Sequence, residues 1–190
     1  MKNIGKINAA FPTPITVVGA MVNGKPSWFE VAWVGIGDAG VVTLSVTRDH
    51  FTCDGIRAEK KLSISLIDET VLQKADYVGI VSGKKVDKSG VFSWHKGELG
   101  APIPEEFPVS MECSLLDIYD ANGCYILLCK VENTYVQDGL LQEDGKKIDY
   151  GKFHPVLFEQ QGFRYVRTGE PIGPCIAPGK LLAATLDPKK

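Results

Sequence analysis

Twenty glycines and eleven prolines are spread throughout the 190 residues. Between these breakers the apolar residues fall in short runs rich in valine, isoleucine and threonine, which suit a pleated strand better than a long helix. A chain punctuated this way has room for many short strands and few helices, so the fold class is mainly β, a barrel or sandwich. Strands are predicted near Pro14 to Val22, Glu30 to Gly35, Val41 to Thr47, Leu62 to Ile67, Ser110 to Tyr119, Tyr125 to Val136 and Phe163 to Arg167. Asn23-Gly24 after the first is a hairpin turn signal, because both residues tolerate positive φ.

Two stretches read as helices. His50 to Lys60 follows a polar turn and ends in basic residues that suit the negative end of a helix dipole. Thr70 to Val78 opens with the Thr70–Gln73 spacing of a capping box. Trp94 to Pro108, with three prolines and two glycines, is expected to be a long surface loop.

The length predicts one domain spanning residues 1–190, and 44% hydrophobic with 23% charged residues is ordinary globular composition. The net charge of −2 provides no basic excess for a phosphate backbone, so nucleic acid is not an expected partner. The opening MKNIGKINAAFPTP has no unbroken apolar segment, so no signal peptide is expected. No run approaches the roughly 20 apolar residues that cross a bilayer, so no membrane partner and a cytoplasmic location are expected. Five cysteines, an odd number in a chain able to build its own core, are read as reduced thiols.

Metal ligation finds no support in the spacing, since His50, His95 and His154 lie far apart, and buried structural thiols are favoured. There is no Gly-x-Ser-x-Gly nucleophile elbow and no Gly-x-Gly-x-x-Gly dinucleotide fingerprint. Three segments carry more. In VVTLSVTRDHFTCDGIRAEKK, residues 41–61, a strand turns through Asp49-His50-Phe51 into a helix whose first amides, near Thr52, form an anion site with Arg48 and His50 beside it. Taken alone, that segment favours the plainer reading that Thr52 or Asp49 caps the helix and Arg48 pairs with Asp49. In DYVGIVSGKKVDKSG, residues 76–90, Ser82, Gly83, Lys84, Lys85 and Lys88 make a positive loop, either shaped for an anion or simply solvated. In GKPSWFEVAWVGIG, residues 24–37, Phe29, Val31 and Trp33 share one strand face, and Trp28 and Glu30 the other. Such aromatics fill a core or wall a flat ring.

In their order and spacing, FPTPITVVGAMVNGKP, GKPSWFEVAWV, SVTRDHFT, LSISLI, DYVGIVSGKKVDKSG and VSMECSLLDIY resemble the flavin reductase-like, FMN-binding split-barrel family, its flavoredoxin-like branch in particular. The resemblance runs from Phe11 to about Lys180. It implies a six-stranded Greek-key split β-barrel with a few flanking helices, a homodimer, and FMN near the subunit interface. Carried over by position, Ser27, Trp28, Phe29, Glu30 and Trp33 would lie along the isoalloxazine. Val46, Thr47, Arg48, His50, Phe51 and Thr52 would hold the ribityl chain and phosphate, and Ser82, Gly83, Lys84 and Lys88 would close over the cofactor.

Three positions depart from the pattern: Ser27 where asparagine is usual, Glu30 where a small residue is usual, and Val41-Val42 where many members have a proline pair. An ionised Glu30 beside a reduced flavin is unfavourable, so it must point away or hold a proton.

The redox chemistry would belong to FMN, with no catalytic acid or base required of the protein. Three readings follow: an NAD(P)H:flavin oxidoreductase, an electron carrier serving a redox protein such as a ferredoxin, and a non-catalytic split-barrel dimer. Trp28, Phe29 or Tyr165 could cover the flavin in either of the first two. The Gly- and Pro-rich stretch from about residue 168 reads as an extended C-terminal arm that crosses to a partner subunit or hugs its own.

Overall fold

The structure, a computed structural model, describes residues 1–9, 12–121 and 123–186; Phe11, where the family resemblance begins, lies outside them. Twelve strands and three helices follow in the order β1 (Thr13–Pro14), β2 (Thr16–Val22), β3 (Lys25–Val31), β4 (Val34–Asp38), β5 (Val41–Thr47), α1 (Phe51–Glu59), β6 (Lys61–Leu66), α2 (Leu72–Ile80), β7 (Trp94–Lys96), β8 (Pro102–Pro104), β9 (Val109–Asp120), β10 (Cys124–Val136), β11 (Val156–Glu159), β12 (Arg164–Arg167) and α3 (Ala177–Leu186). An antiparallel sheet in the order β3-β2-β6-β9-β10-β5-β4 forms the split barrel. It has seven strands where six were expected, because the run expected over Glu30 to Gly35 is broken at Ala32-Trp33 into β3 and β4.

Asn23 and Gly24 both have positive φ, and Val22 pairs with Lys25 across them, a two-residue turn that fixes the β2–β3 register. These two strands are buried on both faces, so their apolar residues do not alternate with polar ones. Inward, Val18, Ala20, Phe29 and Val31 join Leu44, Val46, Ile56, Leu62, Ile64 and Leu127 in the barrel core. Outward, Val17 and Trp28 join Val71, Ala75 and Val78 with Phe92 and Phe107 in a second core. Trp28 meets Phe92 edge-on at 5.5 Å.

Helix α1 rests on β2 so closely that a Cβ at Gly55 would lie 2.2 Å from the Met21 carbonyl oxygen. It ends at Lys60, whose left-handed backbone feeds directly into β6. The capping box expected at Thr70 does not form: Thr70 donates from its amide and its hydroxyl to Asp68, and α2 begins at Leu72. The expected loop at 94–108 contains the β7–β8 hairpin. Glu112 holds it there, its fully buried carboxylate accepting hydrogen bonds from the amides of Leu99 and Ala101, the Asn133 amide and the Tyr135 hydroxyl. Burial works to raise the Glu112 pKa, and these four donors outweigh it and hold the group below the ordinary carboxyl value.

Strand β11 escapes the sequence pattern and joins β1 and β12 in a small second sheet. The C-terminal stretch is not extended throughout, since it carries α3. Cys53, Cys113, Cys124, Cys129 and Cys175 are free thiols, and burial pushes Cys53 up to about 11 and Cys129 up to about 12, which leaves both protonated and unreactive at neutral pH.

Candidate functional site

Where β5 ends, the chain turns through 48–50 into α1, and the far end of α2 with the loop behind it comes up against this turn. Between them lies a cavity of about 280 Å³ lined by Phe29, Thr47, Asp49, His50, Phe51, Thr52, Gly79, Ile80, Val81, Ser82, Gly83 and Lys88. A second lobe of about 350 Å³, lined by Asn23, Lys25, Ser27, Lys84, Lys85 and Asp87 among others, shares Phe51, Gly83 and Lys88 with the first. Gly83 permits the contact between the two walls, because a Cβ there would lie 2.9 Å from the Phe51 ring.

The electrostatics of the cavity are those of an anion site. The N-terminus of α1 opens into it, His50 at the N-cap makes no side-chain capping bond, and Asp54 of the first turn is paired with Arg57. Lys88 is only 5% exposed, and its ammonium donates to the carbonyls of Val78 at 2.9 Å and Val81 at 3.0 Å. A lysine has three N–H donors, so one is left over, and no carboxylate pairs with it among the described residues. Burial pulls its pKa down to about 8. His50, stacked on Phe29 with ring centroids 4.8 Å apart, lies below its ordinary value through burial first and the nearby Lys88 charge second. The buried hydroxyls of Ser27 and Thr52 share a 2.8 Å hydrogen bond that joins β3 to α1. Lys84 and Lys85 are exposed, and Ser82 shapes their turn by accepting from the amides of Lys84, Lys85 and Val86.

Ser27, Phe29, Thr47, His50, Phe51, Thr52, Ser82, Gly83, Lys84 and Lys88 therefore come together, from three separate stretches of chain. Five other sequence-derived candidates have side chains elsewhere. Trp28 lies in the second core and Val46 in the barrel core. Trp33, half exposed, faces a different cleft with Thr13, Thr43 and Gln160. Arg48 pairs with Asp120, not with Asp49, and lies over the Tyr125 ring. Glu30 points under α2, away from the cavity. The wall formed by Gly79, Ile80 and Val81 is missing from the sequence reading. The end of α2 was legible within about two residues, but no pattern announces which cleft a helix end will wall.

The fold and the site together define a class of split barrels with a cavity at the barrel edge, walled by a helix N-terminus and a buried lysine. Comparison with known proteins gives the class its name. The family model described as "Flavin reductase like domain" matches residues 8–167. No curated protein matches the chain. Among solved structures, a flavoredoxin from Methanosarcina acetivorans is similar at 30% identity and a TM-score of 0.88, over 96% of this chain and 100% of that one. The flavoredoxin of Desulfovibrio vulgaris (Miyazaki F) is similar at 27% identity and a TM-score of 0.86, over 94% of this chain and 99% of that one. An FMN-binding protein from Thermus thermophilus shares the fold at 22% identity and a TM-score of 0.76, over 92% and 98% of the two chains. The chain belongs to the flavin reductase-like family and is a flavin-dependent oxidoreductase in kind. Among the described residues there is no helix long and apolar enough to cross a membrane and no His, Cys, Asp and Glu cluster that could hold a metal.

Proposed function

We propose that the protein binds FMN in this cavity and passes electrons through it as an oxidoreductase of the cytoplasm, working as a homodimer. The observation that carries the proposal is the convergence of the α1 N-terminus, His50 and the spare N–H of buried Lys88 on one cavity. A phosphate monoester carries the charge and the acceptors to use all three. Phe29 and Phe51 supply apolar surface beside them, and the Ser27 and Thr52 hydroxyls supply polar contacts of either sense. When bound, FMN supplies the redox chemistry of its isoalloxazine. The chain's own task is to neutralise the phosphate, fix the ring and leave one face open to a donor.

Two routes for the electrons remain distinct. A pyridine nucleotide must bring its reacting carbon to about 3 to 3.5 Å from the flavin; a redox protein such as a ferredoxin needs only a close edge. The similarity to two flavoredoxins favours the carrier role with a protein partner. The test is an absorbance spectrum after saturation with FMN and desalting, repeated anaerobically with NADH and NADPH. Retained flavin bands that ignore both nucleotides support the carrier, and bleaching by either makes the protein a reductase. No flavin affinity by equilibrium titration would overturn the proposal and leave a non-catalytic split barrel.

A further inference from the structure

Glu30 occupies the face of β3 opposite Phe29 and is half-buried beneath α2, so near the helix backbone that a Cβ at Gly79 would lie 2.7 Å from its Oε2. The cations that could answer it are engaged elsewhere. Lys74 of α2 is held by Glu106, while Arg164 and Arg167 of β12 are held by Glu159 and Glu69. On β2 its register partner is Val17, which is apolar and fully buried. What faces Glu30 is Asp76 from α2 and the Tyr165 hydroxyl from β12. That hydroxyl lies 3.4 Å from each Glu30 oxygen and 2.6 Å from Asp76 Oδ1.

A tyrosine hydroxyl has one proton to donate. At 2.6 Å that proton is held mainly by Asp76, so an ionised Glu30 would stand half-buried beside a like charge, with only the long 3.4 Å contacts to the Tyr165 hydroxyl to stabilise it. As a neutral acid, Glu30 supplies its own proton to the Tyr165 oxygen, and the hydrogen bonds then run in one direction, Glu30 to Tyr165 to Asp76. The geometry points to this chain as a one-proton latch that fastens α2 and β12 to β3, with Glu30 the residue that positions the Gly79–Ser82 wall of the site. Burial first, then the Asp76 charge, push Glu30 up to about 7, against the weaker opposing effect of the Tyr165 hydrogen bond. The latch therefore closes in mild acid and opens as pH rises through neutrality, when two carboxylates face each other across one hydroxyl. The folded state holds this proton more tightly than the unfolded chain, so the latch's contribution to stability is complete in acid and is lost as pH rises from about 4.5 to about 7.

The effect on ligand affinity rests on the FMN reading above; the titration itself does not. The test is NMR of the full chain with ¹³C-labelled glutamate side chains, titrated without flavin from about pH 4 to about pH 9, for the unaltered protein, Glu30→Gln and Asp76→Asn. One glutamate signal, absent in Glu30→Gln, should titrate about two pH units above the ordinary range, and Asp76→Asn should return its midpoint toward acid. The Gly79 and Ser82 amide signals should move with the same midpoint. In FMN titrations at about pH 6 and about pH 8.5, the unaltered protein should lose at least about five-fold more affinity over the interval than Glu30→Gln. Comparing the two proteins cancels the titration of Lys88 and of the phosphate.

If Glu30 titrates with the exposed glutamates, the latch is overturned. If it titrates late while the Gly79 and Ser82 amides stay still, or if both proteins show the same pH dependence of affinity, the positioning role is overturned. If no variant binds FMN at either pH, the functional reading fails, and the glutamate and amide titrations still decide the latch. Should Glu30→Gln not fold, the midpoint shift in Asp76→Asn gives the same decision.

Discussion

Lys88 and Arg48 are both cations near the start of α1, and their surroundings assign them opposite roles. Lys88 is buried with one N–H to spare, whereas Arg48 is already neutralised by Asp120. Lys88→Ala should therefore weaken FMN by about 1 to 3 kcal/mol and riboflavin, which lacks the phosphate, by less, as read by flavin fluorescence titration. Arg48→Ala should change FMN affinity by less than about 0.5 kcal/mol in the same assay, against the expectation the sequence alone raises for that residue. The sign of the pH effect at Lys88 follows from its depressed pKa of about 8. Above that pH the unliganded site loses its cation, so FMN affinity should fall as pH rises through about 8 in the unaltered protein, and that part of the dependence should be lost in Lys88→Met.

Among the elements, α1 is held in place by the absence of a side chain. A methyl group at Gly55 would collide with the Met21 carbonyl, so Gly55→Ala should push the helix off β2 and cost about 1 to 3 kcal/mol in urea unfolding. The β7–β8 hairpin hangs on Glu112 in a similar way. Glu112→Gln replaces one acceptor oxygen with an NH2 donor that faces donors already in place, and should cost about 1.5 to 3 kcal/mol by the same measurement, with the 97–101 amides losing exchange protection first. These dependences also mark what could be read from residues alone. The α1 start was legible because Thr47-Arg48-Asp49 interrupts a β-branched run and a helix-forming stretch follows. The true start of β3 at Lys25 was not, because Pro26 and Ser27 look like turn residues and their strand pairing comes from β2. Glu112 carried no signal, since its four donors come from two other parts of the chain and meet only in three dimensions.

For the molecule as a whole, the order and spacing of segments made the barrel legible, while the second sheet and the small hairpin depend on contacts between distant stretches. The C-terminal segment leaves a large apolar surface outside that fold: Ile176, Leu181, Leu182 and Leu186 are all exposed. A second copy of the chain is the natural cover for such a surface. Sedimentation velocity should show a dimer, and deletion of residues 170–190 should shift it toward monomer; a full chain that sediments as a monomer at micromolar concentration would refute the expectation.

The hydroxyl pair of Ser27 and Thr52 gives the cavity a further property. Two hydroxyls contain two protons, and the bond between them uses one, with either residue able to be the donor. Turning the pair around transfers the spare proton from the Thr52 side of the cavity to the Ser27 side, a reversal of polarity that requires only the rotation of two O–H bonds. A ligand whose edge exchanges donors for acceptors between two oxidation states could then be met by the same two atoms in both, without any movement of the barrel.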